Sequence, residues 1–285
     1  MPQTVQRRFG FGDSRQNVWY CEKDAEGKFG AIERRNIAST FQIRDFYTVV
    51  ESDALSDKVE KEFYGSLDDY WGKFLSEIEG IFSSGRVAEV VGEPLAVLRD
   101  AVFHFIKRTP EFVSDFADDL SIGRELINIV VDAMRTEGVQ SNEIDGYEAK
   151  YSAPHKVKAL GRSIRVKSAL ASSDRVSAAL EGFSVRWAVV SSKHSLVLSS
   201  LYVYRIGNGG SNGLDNPSFE IWVPISPKRV LILLRDEVGR IPLTSEIDRE
   251  KVREINLYAS RQAQALASHS KELLQSLTGL EISER

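Results

Sequence analysis

The spacing of apolar residues changes twice along this 285-residue chain, and that order limits the folds open to it. Residues 17–22 (NVWYCE) and 29–34 (FGAIER) are short strand-like runs. KDAEGK lies between them, and Gly27 can take the positive φ of a hairpin turn. A third run, DFYTVV at 45–50, is equally rich in β-formers. From Phe63 the period becomes three and four. Phe63, Leu67, Trp71, Phe74, Ile78 and Ile81 fall on one face of a long helix. Asp57 is placed to cap its first turn, and Glu60 suits the positive end of its dipole. A second helix over 93–107 turns Leu95, Leu98, Val102, Phe105 and Ile106 inward, with Pro110 as its punctuation. Further helices fit 110–120, 123–137 and 155–181. Near 183 the strand pattern returns in four runs: FSVRWAVVSS, HSLVLSSLYVYRI, FEIWVPIS and RVLILLRD. The connection GNGGSNGLDNPS reads as a mobile loop, too polar and glycine-rich to pack. Ser245 and Asp248 form a capping-box signature. After it, Val252, Ile255, Ala259, Ala263, Leu266, Leu273 and Leu277 mark one long C-terminal helix.

Strands and helices are therefore grouped, not alternating, which argues for an α+β fold over a doubly wound sheet. The expected order is an N-terminal β-hairpin region, central helices, and a C-terminal antiparallel sheet region closed by a long helix. The length suits a single α+β domain over 1–285. The alternative subdivision is a mainly helical part over 1–182 and a sheet with terminal helix over 183–285.

Composition narrows the class of partner. The chain has 37 Lys and Arg against 41 Asp and Glu, whereas a dedicated DNA-binding domain is normally basic. Cys21 is the only cysteine, so an intramolecular disulfide and a zinc site built on several thiolates are both excluded. The opening MPQTVQRRFG lacks the apolar run of a signal peptide, and no stretch approaches the about 20 apolar residues that span a bilayer. The expectation is a cytoplasmic protein that is not embedded in a membrane.

Several separated segments carry a resemblance. PQTVQRRF, the hairpin NVWYCEKDAEGKFGAIERRNIAS, DFYTVV, FIKRTPEF, LVLSSLYV, VPISPKRVLILL and INLYASRQAQALASHS stand in a fixed order along the chain. Together they resemble a bacterial family known only as domain of unknown function 4238. The resemblance implies an α+β fold and a bacterial source, and it implies no activity. This chain departs from the family pattern twice. The family's leading His-Tyr-Val is missing. Where the family writes Ser-Asp-Asn-Pro, this chain keeps Ser199 and then has Ser200, Leu201 and Tyr202. A carboxylate and an amide at a strand end can hold a cation or a proton. The same Asp-Asn-Pro is also strong turn chemistry. With Leu201 and Tyr202 in place, the strand is expected to continue beside Val223–Val230, packed by apolar side chains. No carboxylate from elsewhere is expected to replace the lost Asp.

No other constellation has the spacing of known chemistry. His104, His155, His194 and His269 form no HxH or HxxxH pair. No GxSxG elbow surrounds Ser195, Ser199 or Ser200. GNGGSNG lacks the Lys-Ser/Thr of a phosphate loop. Glu111, Asp115 and Asp118 share a helical face, with Asp119 next to them, as a solvated acidic face or a cluster for a hard cation. Residues 150–173 hold Lys150, Lys156, Lys158, Arg162, Arg165 and Lys167 and no acid. Lys158, Arg162 and Arg165 would line one face for a polyanion. Otherwise they would dock on the acidic stretch 45–69. No cofactor or metal site is expected. The reading is a non-catalytic binding or interaction protein with a protein or polyanion partner. The alternative is a hydrolase or nuclease-like effector, in phage defence or toxicity, whose site is assembled only by the fold.

Overall fold

A computed structural model describes residues 1–43, 46–51, 54–114, 118–171, 173–211, 213–236 and 239–280, with Glu51 and Ser114 described by backbone alone. In chain order the elements begin with α1 (Gln3–Arg8), β1 (Asn17–Glu22), β2 (Glu33–Asn36), β3 (Val49–Glu51) and β4 (Ala54–Ser56). A π-helical stretch, Val59–Tyr64, leads into α2 (Gly65–Ser83). Then come α3 (Gly92–Lys107), α4 (Pro110–Ser114), α5 (Asp119–Thr136), α6 (Ser141–Lys150), α7 (Pro154–Leu170) and α8 (Asp174–Glu181). The C-terminal part holds β5 (Phe183–Val190), β6 (Leu198–Ser199), β7 (Tyr204–Ile206), β8 (Glu220–Ser226), β9 (Arg229–Arg235), β10 (Thr244–Ile247), α9 (Arg249–Gln262), β11 (Ala265–Ser268) and α10 (Lys271–Thr278). The fold is α+β, as the grouping of strands and helices implies.

The chain forms two compact units. The first comprises residues 1–42, 68–111 and 172–285, and the second 43–67 and 112–171. Position 182/183 lies inside the first unit.

Two sheets organise the first unit. One is antiparallel with strand order β2-β1-β11-β6. The other runs β10-β5-β9-β8-β7, antiparallel except for the parallel β10–β5 pair. The sequence of β9 explains its place. Val230–Leu234 is an unbroken apolar run without alternation, and all five residues are buried, as a strand covered on both faces requires. Helices α2 and α3 supply the aromatic core beside it. Trp71, Phe74 and Ile78 are buried, and Trp71 packs 5.2 Å from Phe74 and 5.1 Å from Phe105 between ring centroids. The indole N–H of Trp71 donates to Tyr202 Oη at 2.5 Å, so the one polar atom of this large ring has a partner. Trp187 of β5 repeats the arrangement, donating to Ala88 O at 2.6 Å.

The second unit is built differently. Helix α7 packs on α5 and also on the β3–β4 hairpin. A Cβ added at Gly123 would sit 2.1 Å from Val157 O, and one at Gly161 would sit 1.8 Å from Asp119 O. These two glycines let α5 and α7 meet backbone to backbone, where any side chain would collide. Asp118 caps α5, accepting from Leu120 N at 2.9 Å and Ser121 N at 3.1 Å. Its exposed carboxyl is held below the usual range, chiefly by the Ser121 hydroxyl and by backbone N–H groups.

Several sequence expectations are corrected. The C-terminal helix is broken in two. ALAS at 265–268 is strand β11, fully buried between β1 and β6, where small side chains fit a central strand. The cap of α9 is Asp248, accepting from Lys251 N, while Ser245 lies in β10. The carboxylate of Asp57 pairs with Lys61 at 2.8 Å and caps no helix. The span 155–181 holds two helices, α7 ending at Leu170 and α8 starting at Asp174, and of the third early run, whose Asp45 lies outside the described residues, Val49 and Val50 belong to β3. The polar helices α1 and α6, which have weak apolar periodicity, were not expected. The glycine-rich connection is tied down: Asn216 Nδ2 donates to Gly207 O and Ser211 O, and Arg235 donates to Asn216 O at 2.8 Å.

Candidate functional site

Ser199 and Ser200 sit where β6 ends. The strand does not continue. The chain turns through Ser200 and Leu201, and Tyr202 takes a left-handed conformation at φ 56° while its N–H donates to Ser199 O at 3.0 Å. A bulky residue adopts positive φ only when its surroundings hold it there. Here burial of the Tyr202 ring and its bond from Trp71 do so. The neighbour of β6 is β11, not the 223–230 strand, which pairs instead with β7 and β9. In this chain the Ser199–Tyr202 segment thus forms a turn.

The Ser200 hydroxyl lies at the junction of α9 and β11. It donates to Glu111 Oε1 and accepts from Gln264 N at 3.0 Å and Ala265 N at 3.2 Å. The N–H of Gln264 is shared with Glu111 Oε1 at 3.0 Å, and Ser200 N donates to Ala265 O at 2.9 Å. Lys23, just beyond β1, completes the group. Its N–H donates to Gln264 O at 2.8 Å and its ammonium to Arg261 O at 2.9 Å. Burial lowers the Lys23 pKa, and the Glu111 carboxylate opposes that shift. A carboxylate from elsewhere does therefore stand at Ser200, contrary to expectation. Backbone groups at a helix-to-strand junction need partners, and Glu111 and Ser200 supply them. Glu111 belongs to FIKRTPEF, so the ordered segments carried the signal, although its spacing to Asp115 pointed to a different cluster.

The other resemblance segments do similar work. Asn256 of α9 accepts from Val197 N at 3.0 Å and donates to Ser195 O at 2.8 Å, clamping the chain before β6. Ser199 is wholly buried, its hydroxyl beside that of Tyr204. Arg108 pairs with Asp68 at 2.5 Å.

Among the described residues no histidine joins two or more acids in one cluster. His104 is buried in α3 with Asp100 at 3.7 Å. Burial lowers its pKa, Lys107 adds to that, and Asp100 opposes. His269 follows β11, and burial with nearby Lys228 lowers its pKa as well. Lys228 itself binds Ser192 O and His194 O. His155 is exposed on α7. Asp115 lies outside the described residues. Of the other acids in that cluster, Glu111 serves the Ser200 junction, Asp118 caps α5 and Asp119 binds arginine. Among the described residues no group of three or more His, Cys, Asp or Glu is placed to hold a metal ion.

The basic residues of α7 divide. Lys158 is exposed. Arg165 donates to Asp119 Oδ1 at 2.7 Å, and Arg162 to Asp119 Oδ2 at 3.3 Å. The arginines therefore do not project outward with Lys158; among the described residues both bind the Asp119 carboxylate of α5. The second unit as a whole has eleven Lys and Arg against fifteen Asp and Glu, so it carries the chain's net negative charge.

The chain belongs to the family described as Protein of unknown function (DUF4238), whose profile covers residues 2–272. No curated protein and no solved structure matches it significantly. No helix is long and apolar enough to cross a membrane among the described residues.

Proposed function

We propose that this member of the family is a non-catalytic binding or interaction protein of the bacterial cytoplasm. The observation that carries the reading is the use of the Ser200 hydroxyl. It accepts two backbone N–H groups and donates to Glu111, so its lone pairs are engaged inside the fold. A serine nucleophile needs a free lone pair aimed at the substrate and a base that removes its proton. Asn256 and Arg108 are likewise engaged within the first unit. A buried, unpaired Cys21 thiol, its pKa pushed up to about 12 by desolvation, suits a reducing compartment.

The test compares Ser200→Ala and Glu111→Gln with the native chain in thermal melts and in assays on ester and phosphodiester reporters. Residues that build the fold lower the melting temperature when replaced, whereas residues of a reaction centre are often neutral or stabilising when removed. The expected outcome is a lower melting temperature for both variants and no turnover by the native protein. Native turnover that Ser200→Ala abolishes at an unchanged melting temperature would establish the hydrolase alternative.

A further inference from the structure

A second group of residues, apart from the Ser200 junction, has the composition of a recognition surface. In β1, Val18 and Tyr20 point into the core and are buried, while the pleat turns Trp19 outward, where it is half-buried. Phe11 lies beside it, fixed by the N–H it donates to Asn17 O at 2.8 Å. The Phe11 and Trp19 rings stack with centroids 5.4 Å apart and planes 19° from parallel. Each ring also carries a cation. The exposed Arg34 guanidinium is 5.7 Å from the Phe11 centroid, and the Lys271 ammonium is 5.4 Å from that of Trp19. Register explains the grouping: Arg34 is the β2 residue opposite Trp19, and Lys271 opens α10 just past β11, whose Ser268 is opposite Trp19 on the other side. Two of the neighbouring acids are engaged elsewhere. Arg35 binds Glu33 on the sheet face that carries Tyr20, and Glu272 receives the Ser270 hydroxyl.

We propose that the Phe11–Trp19 stack, with Arg34 and Lys271, docks single-stranded nucleic acid. Bases stack on flat aromatic rings or on an arginine plane, and the adjacent phosphates require cations on mobile stems. This patch supplies rings and cations together on the edge of a sheet. A polyanion without bases would leave the rings and the arginine plane unused. The nearly neutral first unit, with 26 cationic and 26 acidic residues, imposes no long-range barrier to a phosphate chain.

The protein itself reports on the site. Trp71, Trp187 and Trp222 are buried, so quenching of intrinsic fluorescence by a stacked base reads Trp19. The full chain is titrated at low salt with short oligouridylate and oligothymidylate. Affinity is also read from the anisotropy of a labelled oligonucleotide, with inorganic polyphosphate and polyglutamate as competitors. The expected result is saturable quenching, weakened about tenfold or more by Trp19→Ala and largely kept by Trp19→Phe. Arg34→Glu should weaken binding comparably and flatten its salt dependence. Arg34→Glu and Lys271→Glu alter surface positions and carry the test if Trp19→Ala fails to fold. The proposal is overturned by absence of saturable binding to both oligonucleotides. It is also overturned if the ring and charge variants bind as the native chain does, or if polyphosphate or polyglutamate competes as well as the oligonucleotide per charge.

Discussion

The two units solve the same packing problem with different materials. All four tryptophans belong to the first, and its core is made of rings and branched side chains that exclude water by their size. The second reaches close packing by removing side chains. Gly123 and Gly161 allow two helix backbones to touch, and the Asp119 carboxylate ties Arg162 and Arg165 across the same contact. Its α5 helix still shows Ile129 to solvent. Burial of apolar area sets the stability of the first kind of core, whereas steric permission at two positions sets the second. The comparison teaches that a helical unit poor in buried volume can be specific in structure, yet have little stability in reserve.

The comparison can be broken by experiment. Trp71→Ala leaves a large cavity and orphans the Tyr202 hydroxyl, and should cost about 3–5 kcal/mol. In hydrogen exchange, protection should fall across β5, β8 and β9. If urea denaturation detects less than about 1 kcal/mol of loss, the first unit is not held by this cluster. Gly161→Ala forces a methyl group against the Asp119 carbonyl and should cost about 1–3 kcal/mol. Its signature is faster exchange confined to 119–136 and 154–170. Equal loss of protection in β9 would show that the two units melt as one. Ser200→Asp sharpens the contrast most finely, because it adds charge to a junction that now holds one carboxylate. Two carboxylates in contact raise the pKa of the pair, so the folded state prefers to keep one proton. The variant should be near native stability at acid pH and lose about 1 kcal/mol as pH rises through that raised pKa. A pH-independent difference would mean that the new carboxylate turns away from Glu111.

The sequence was most informative where side chains fill space. The three-four spacing of Trp71, Phe74 and Ile78, and the apolar run of β9, lead directly to the observed core. It misled where a local pattern was overruled by a distant partner. Ala263, Leu266 and Leu273 continue the spacing of α9, but the free edges of β1 and β6 draw residues 265–268 into a strand. Tyr202 has strong β propensity and turns because Trp71, 131 positions earlier, donates its indole N–H to the Tyr202 hydroxyl. The Ser200 junction joins Lys23, Glu111 and Gln264, and no spacing rule links residues so far apart. Gly123 and Gly161 look like weak points in helices until the opposing backbone is in view.

The position of β11 also sets a schedule. Residues 265–268 fill the gap between β1, at 17–22, and β6, at 198–199. Synthesis proceeds from the N-terminus, so the first hairpin leaves the ribosome with an unpaired edge and keeps it until residues 265–268 have emerged. Pairings that distant in sequence close slowly, and open strand edges invite association with other chains. A newborn copy is therefore at its most vulnerable after β1 and β6 exist and before β11 arrives, which is the interval in which a holding chaperone would matter to its yield.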